Sequence, residues 1–200
     1  MGIIDWIKKK YVFPVTEKDH HIIQGDDPDL GISFNKDLYD LLKEESPPAY
    51  MLYLFGNVFY CGWFDVPKDI PRGLYYYHRA SKAGFANAQY FLGQYYAVNE
   101  HHAKTVYYLR LAAQQNHSDA QWRLGLYYLA NLDEFPGKIL PAMQLFCRSH
   151  VLGNAEGTMQ LNRMISFDEE RDRDSELREV AKRTVEELRN GQEPRFGNNW

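Results

Sequence analysis

Apolar residues in the middle of the chain follow the 3.6-residue spacing of amphipathic helices. Two segments show this most clearly, with apolar residues at the following positions: Ala88, Phe91, Leu92, Tyr95 and Tyr96 in one, and Ala120, Leu124, Tyr127 and Tyr128 in the other. Residues on one face of a helix lie three or four apart, so each segment presents one continuous apolar stripe. The pattern therefore predicts an amphipathic α-helix over each segment.

Three segments of the chain can be placed in register, each with a Gly followed three residues later by an aromatic residue. They are MLYLFGNVF from Met51, AQYFLGQYY from Ala88 and AQWRLGLYY from Ala120, with glycines at positions 56, 93 and 125. A fourth, weaker copy, GTMQLNRMI from Gly157, has Asn162 in the place of the glycine. A Gly inside a helix costs about 1 kcal/mol relative to Ala, so three in phase indicate close approach of a neighbouring helix.

A second set of helices is predicted between these copies. They end at Gly84, Asn116 and Gly153, each four residues before the next copy begins. Gly and Asn tolerate the left-handed backbone conformation that follows many helix ends. Each unit is therefore predicted to be a helix, a loop, a helix and a tight turn. Small residues of the second helices are expected to face the glycines: Ala80, Ser81, Ala112, Ala113 and Ser149.

These two registers resemble the SEL-one-like repeat family, a short relative of tetratricopeptide repeats. The matching text is AGFANAQYFLGQYY (83–96), AQQNHSDAQWRLGLYY (113–128) and, less well, GNAEGTMQLNRMI (153–165). We expect an all-α fold, a right-handed α/α solenoid (superhelix) of about three and a half helix-turn-helix repeats with helical caps. The resemblance implies contact with other proteins and does not imply catalysis.

Three regions are predicted. Residues 1–48 are expected to form an N-terminal cap with a short helix at 36–45, and residues 49–167 the repeats. Residues 168–200 are expected to form a C-terminal capping helix and a flexible tail, because terminal repeats must cover their outer faces. The stripe of that helix is formed by Leu177, Val180, Ala181, Val185 and Leu188.

Charge narrows the choice of partner. The net charge of −4 gives no overall basic field, so we expect no nucleic-acid binding. Residues 49–167 carry 10 Lys and Arg against 7 Asp and Glu, which favours a protein partner with an acidic surface. No run approaches the length of a membrane span, and the order of charged and apolar residues in MGIIDWIKKK leads us to expect no secretory signal. With only two cysteines, we expect a cytoplasmic protein without a disulfide.

The sequence offers little for catalysis or cofactor binding. Two histidine pairs, His20–His21 and His101–His102, lack the further ligands of a metal site and are expected to be solvated loop residues. Cys61 and Cys147 lie in no catalytic context, and packing in the core is the better interpretation. The glycines follow the repeats instead of clustering in a phosphate loop. We therefore expect no enzyme, no metal and no cofactor.

Tyrosine runs give the candidate binding residues. In each run the register assigns one structural residue, Tyr76, Tyr96, Tyr108 or Tyr128, and its neighbours either lie at the surface or are buried as well. Exposed aromatic residues are enriched in binding sites. The strip expected on the inner face of the first helices is formed by Asn57, Phe91, Gln94, Tyr95, Arg123 and Tyr127.

The function predicted from these features is non-enzymatic protein binding by an adaptor or scaffold. The resemblance also implies bacterial relatives that act as signalling scaffolds, secretion-associated partners or immunity partners of toxins. Two alternatives stay open. One is a hydrolase with its site in the N-terminal third. The other is a peripheral membrane scaffold anchored by residues 1–10, where a short apolar stretch precedes three lysines.

Overall fold

The computed structural model describes residues 48–63, 66–169 and 175–192. These residues form eight α-helices and no strand, which confirms the all-α fold class. The helices are α1 Ala49–Cys61, α2 Ile70–Lys82, α3 Ala86–Val98, α4 His102–Gln114, α5 Ser118–Ala130, α6 Ile139–Val151, α7 Ala155–Glu169 and α8 Ser175–Arg189. The short helix expected at 36–45 and residues 193–200 of the tail expected over 191–200 lie outside the described residues.

The chain divides into two compact units, residues 1–92 and 93–200, and the boundary falls inside α3. In the first unit, α1 packs against α2. In the second, α4 packs against α5, α5 against α6, and α6 against both α7 and α8. Packing of each helix on its neighbours in sequence is the arrangement of a helical repeat protein. The boundaries predicted at residues 48 and 167 stay predictions.

The tight turns between repeats have the backbone conformation that their sequences predict. Gly84, Asn116 and Gly153 have φ values of 87°, 59° and 81°, all in the left-handed region. The next residue after each of them donates a hydrogen bond to a carbonyl five positions back, at 3.0, 3.2 and 3.0 Å. These bonds satisfy carbonyl groups that would otherwise be unpaired at the helix ends. The second helices therefore end where the register predicts.

The in-phase glycines allow pairs of helices to approach closely. A Cβ built on Gly93 would lie 2.7 Å from the side chain of Leu109, and one on Gly125 would lie 2.8 Å from the ring of Phe146. Both distances are shorter than real Cβ contacts, so any side chain at these positions would push the helices apart. Close approach, inferred from the phase of the glycines, is what the structure has.

The residues that face the glycines are large, and the expectation that small ones do so is wrong. In the three repeats, Tyr77, Leu109 and Phe146 occupy the space that a Cβ would need. Because glycine has no Cβ, it leaves a hollow on the surface of its helix. A large side chain that fills this hollow makes more van der Waals contact than a small side chain would. Of the small residues, Ser149 instead lies against Gly157 of the following helix, α7.

The same polar contact ties a second helix to the next first helix in each unit. Gln89 Nε2 donates to the carbonyl of Ser81 at 3.2 Å, and Gln121 Nε2 donates to the carbonyl of Ala113 at 3.1 Å. Both glutamines are buried, so these bonds give partners to side-chain nitrogens that water does not reach, whereas Oε1 of Gln121 is buried without a hydrogen-bond partner. The small residues Ser81 and Ala113 thus contribute through their backbone carbonyls, which their short side chains leave accessible.

Helix α6 is the most enclosed helix of the second unit. All residues from Ala142 to Ser149 are buried, and α5, α7 and α8 pack around the helix. The helix expected within 169–190 is α8, whose Ala181 and Thr184 are both buried at 1% exposure. The thiol of Cys147 donates to the carbonyl of Ala181 across a 3.8 Å sulfur–oxygen distance. A helix near the C-terminus therefore covers a face of α6.

We expect Gly93→Leu and Gly125→Leu each to lower the free energy of unfolding by about 1–3 kcal/mol, the usual range for overpacking. Their new side chains would collide with Leu109 and Phe146. Ala103→Leu is the control, because it adds Leu at an exposed position of α4 and should change stability by at most about 0.5 kcal/mol. Chemical denaturation measures all three. Equal tolerance of the three substitutions would contradict the packing role of the glycines.

A second prediction concerns pH, because His117 caps α5 by accepting from the N–H of Ala120 at 3.3 Å. Burial lowers the pKa of His117 below its ordinary value of 6.5, and Asp119 partly opposes this. As the pH falls below 6.5, the unfolded chain therefore takes up a proton more readily than the folded chain, and stability is lost.

His117→Asn keeps an N-cap acceptor but removes the titration. We expect the melting temperature of the original protein to fall more between about pH 7.5 and about pH 5.5 than that of the variant. The difference should correspond to at most about 1 kcal/mol, the typical contribution of an N-cap. Thermal melts followed by circular dichroism measure it, and parallel pH curves would argue against a neutral His117 cap.

Candidate protein-binding cleft

The second unit has an open cleft of about 400 Å³ formed by three successive helices. Helices α3, α4 and α5 supply its lining residues: Gln94, Ala97, Val98, Leu109, Arg123, Leu126, Tyr127 and Ala130. Five of these side chains are aliphatic, and three can form hydrogen bonds. A mostly apolar cleft with a few polar groups is typical of a binding site.

Helical spacing places these side chains side by side. Gln94 and Val98 lie one turn apart on α3, and Arg123 and Tyr127 lie one turn apart on α5, so each pair shares a helical face. Val98 is 84% exposed, an unusual position for a β-branched apolar residue. Leu109 of α4 is almost fully buried and closes the floor of the cleft. The cleft therefore combines an exposed apolar rim with a rigid base.

Tyr127 is held in place by its neighbours. Its hydroxyl shares a 2.6 Å hydrogen bond with His102 Nδ1, and its ring centroid lies 6.2 Å from that of Phe135. The Nδ2 of Asn131 donates to the Tyr127 carbonyl at 2.9 Å, which secures the end of α5. Fixing the ring before a partner arrives reduces the side-chain entropy lost on binding. Tyr127 is thus a preorganised wall of the cleft.

Arg123 is the charged residue of the cleft lining, and no acidic residue accompanies it there. Its side chain is exposed, and the guanidinium carbon lies 4.4 Å from the ring centroid of Trp122. This cation–π contact restrains a long side chain without neutralising its charge. The lining therefore presents one oriented cation beside apolar side chains.

The structure brings three of the six predicted binding residues together. Gln94, Arg123 and Tyr127 all line the cleft of the second unit. Tyr95, which the register also assigns to the binding strip, is half-buried and packs edge-on against Tyr96 with centroids 5.4 Å apart. It is not among the lining residues of the cleft. Asn57, like Phe91, belongs to the first unit.

In the first unit, Asn57 and Phe91 both contact Tyr77, which is fully buried. The Tyr77 hydroxyl donates to Asn57 Oδ1 at 2.7 Å, and the ring of Phe91 stacks on that of Tyr77 with centroids 3.9 Å apart. Tyr60 adds an edge-on contact to Phe91 at 4.9 Å. Asn57 and Phe91 therefore help to hold the packing around Gly56, whatever else they do.

The tyrosines next to the assigned structural residues are neither all exposed nor all buried. Three of the four assigned structural residues, Tyr76, Tyr96 and Tyr128, are buried as the register predicts, whereas the fourth, Tyr108, is only half-buried. Burial raises the pKa of Tyr76 to about 12. Among their neighbours, Tyr77 is completely buried because Gly56 leaves room for its ring. Tyr107 is 58% exposed because no described helix covers that face of α4. Whether a neighbouring tyrosine is buried depends on the helix that faces it.

Six residues of the site are not predicted by the sequence. Five of them line the cleft, namely Ala97, Val98, Leu109, Leu126 and Ala130, and the sixth, His102, positions Tyr127. For Val98 a signal was present, since it lies four residues after Gln94 and so shares its helical face. The prediction that His102 is a solvated loop residue is wrong, because His102 begins α4 and shares a hydrogen bond with Tyr127. The sequence contains no sign of that contact across 25 residues.

The described residues hold few groups suited to catalysis. Within 48–63, 66–169 and 175–192, no three His, Cys, Asp or Glu side chains come together as a metal site. Burial raises the pKa of Cys147 to about 12, so its thiol stays protonated at neutral pH and is a poor nucleophile. Both cysteines are free, and Cys147 is buried as expected, but the expectation that Cys61 packs in the core is wrong, because this last residue of α1 is exposed. In the same ranges, no helix is long and apolar enough to cross a membrane.

The fold and the cleft together define a class, that of helical repeat proteins with an open cleft between successive helices. Comparison with protein-family models, curated proteins and solved structures finds no match for this chain. The resemblance to SEL-one-like repeats stays a prediction from the quoted motifs. Function must therefore be argued from the cleft itself.

A stability prediction separates packing from binding at Asn57. We expect Asn57→Ala to cost about 1–3 kcal/mol, because it leaves the buried Tyr77 hydroxyl without its acceptor. Tyr77→Phe in the same background should restore part of that loss, since the unsatisfied group is then gone. Asn87→Ala, at an exposed position of α3, is the control and should be near neutral. Urea denaturation of the original chain, Asn57→Ala, Tyr77→Phe and the double variant measures the coupling, with Asn87→Ala as a fifth protein for control, and additive effects would contradict the coupling.

Proposed function

We propose that this protein is a non-enzymatic interaction module whose cleft on α3, α4 and α5 binds a segment of another protein. One observation carries the proposal: the cleft is lined by aliphatic side chains with Arg123, Gln94 and Tyr127 as its hydrogen-bonding groups. Such a lining can bury apolar side chains of a partner and orient its chain through a few polar contacts.

The lining also suggests the chemistry of the bound segment. Val98 and Leu126 are partly or largely exposed, so an apolar side chain of the partner would gain by covering them. Arg123 has no acidic residue beside it in the lining and would pair with a carboxylate. A segment with an apolar anchor close to an Asp or Glu fits both features. The excess of basic residues over 49–167 supports the same choice.

The biological role that fits this chemistry is that of an adaptor or scaffold in the cytoplasm. The repeat pattern and its resemblance to SEL-one-like proteins support this role, and an immunity or secretion-associated partnership is a narrower form of the same proposal. The hydrolase alternative depends on the N-terminal third, of which residues 1–47 lie outside the described residues, and the membrane-anchor alternative depends on residues 1–10 of that same segment. Hydrolase activity and membrane binding, each compared between the full chain and a chain shortened to begin at residue 48, would test these two alternatives.

To test the proposal, partners are first captured from the source cells and identified by mass spectrometry. Calorimetric titration of the purified partner then compares variants of the cleft. We expect Arg123→Ala and Tyr127→Ala each to weaken binding by about 2 kcal/mol, or roughly thirtyfold, as is typical of central Arg and Tyr residues. Circular dichroism should show an unchanged helix content, because Arg123 is exposed and Tyr127 lies at the cleft wall.

Two further variants sharpen the test. Arg163→Ala removes a cation at an exposed position of α7 outside the cleft and should leave binding unchanged. Tyr95→Ala discriminates between the strip expected from the sequence and the cleft, because Tyr95 does not line the cleft. Loss of binding only with Tyr95→Ala would favour the strip. Normal binding by both Arg123→Ala and Tyr127→Ala would contradict the proposal.

A further inference from the structure

A second surface of this protein lies on α4, on a face that the cleft does not use. Four side chains spaced by four, three and four residues form one helical stripe, and all four are exposed: Ala103, Tyr107, Arg110 and Gln114. Tyr107 is 58% exposed, and its ring is held edge-on against Tyr108 with centroids 5.0 Å apart. We refer to these four residues as the α4 stripe.

The equivalent stripe of the next repeat is covered by a helix. Asn116 follows the end of α4 and Gly153 follows the end of α6, so equivalent positions of these two second helices are 37 residues apart. The residues of α6 that correspond to the α4 stripe are Leu140, Gln144, Cys147 and Val151. Helix α8 packs on α6, and the Cys147 thiol contacts the carbonyl of Ala181 at 3.8 Å. Gln144 and Cys147 are buried, whereas Tyr107 and Arg110 at the same positions of α4 are exposed. The face of α6 that is equivalent to the α4 stripe therefore binds a helix.

The exposed copies of the stripe differ from the covered copy in charge and in aromatic content. Helix α4 carries Lys104 and Arg110 and no acidic residue. In the first unit, α2 likewise has bases and no acid, and its Tyr75, in the position of Tyr107, is 57% exposed. A helix that covers either stripe would lie against a basic surface of α2 or α4. Favourable contacts therefore require acidic side chains on the covering helix.

We propose that the α4 stripe binds an acidic amphipathic helix of a partner protein, in the way that α6 holds α8. Tyr107 would pack against the apolar side of that helix, and Arg110 would pair with its carboxylates. Tyr and Arg are the residue types that most often dominate binding energy when they become buried at an interface. This surface is separate from the cleft, so the protein would hold two segments at once.

A second copy of this chain is a less complementary occupant than an acidic helix. The helix that covers α6, α8, contains four acidic and four basic residues and therefore no net charge. Placed on the α4 stripe, the same helix of another copy would set bases as well as acids near Arg110. Like charges brought together cost binding energy, which favours a helix with a clear acidic excess.

The test uses a defined probe, a fluorescent helical peptide of about 18 residues with a leucine stripe flanked by glutamates, since shorter helices are marginal in water. A control peptide has the same sequence with lysine in place of every glutamate. Fluorescence anisotropy with the full chain should show saturable binding of the glutamate peptide, weakened by added salt, and at least about tenfold weaker binding of the lysine peptide. Arg110→Glu should weaken the glutamate peptide at least about tenfold, and Tyr107→Ala about fivefold or more.

Controls separate this surface from the cleft and from other occupants. Arg163→Ala, which removes an exposed cation of α7 outside both surfaces, should leave the binding of the glutamate peptide unchanged. Binding that is lost with Arg123→Ala but retained with Arg110→Glu would assign the peptide to the cleft and overturn the proposal. Circular dichroism of Arg110→Glu and Tyr107→Ala should match that of the original chain, and a variant that unfolds is replaced by Gln114→Glu, which changes the same stripe. Equal binding of both peptides, tighter binding of a single-stranded oligonucleotide, or self-association abolished by Arg110→Glu would each overturn it.

Discussion

Close contact between paired helices, made possible by glycine, is the constraint on which the described structure depends. At Gly56, Gly93 and Gly125 no Cβ fits, and a large residue of the paired helix fills each hollow. The pairs α1–α2 and α5–α6 are built around two of these contacts. Because interiors are packed as densely as crystals, fixing one such contact fixes which neighbouring side chains fit. The complete burial of Tyr77 and its hydrogen bond to Asn57 follow from the room left at Gly56.

The cleft depends on the same contacts, although none of its lining residues is a glycine. Leu109, which closes the base of the cleft, is the residue that occupies the hollow at Gly93. One face of α3 is thereby committed to packing, and the adjacent face is left to carry Gln94 and Val98. A binding surface formed on rigid helices keeps its shape without a partner, which reduces the ordering cost of association.

Helix ends, the repeat phase and the all-α class could be predicted because each depends on local sequence. Left-handed turns at Gly84, Asn116 and Gly153 need particular residue types at particular places, so they are visible in one chain. Which side chains meet across a helix pair is a different matter. The bond between His102 and Tyr127 and the burial of Tyr77 depend on packing between distant residues, and no periodicity reports it. Sequence therefore predicted Gln94, Arg123 and Tyr127 for the cleft but missed the residue that positions Tyr127.

Enclosure of α6 on three sides has a consequence for the order in which the second unit opens. Its residues from Ala142 to Ser149 are buried together, while the helices around it each keep an exposed side. Local opening is least costly where few apolar contacts are lost, so the peripheral helices should fray and reclose while α6 stays formed. Amide hydrogens in the middle of α6 would then exchange with solvent only when the whole unit unfolds. A protein whose central helix stays folded in this way can release or accept a helix at its surface while its core stays intact.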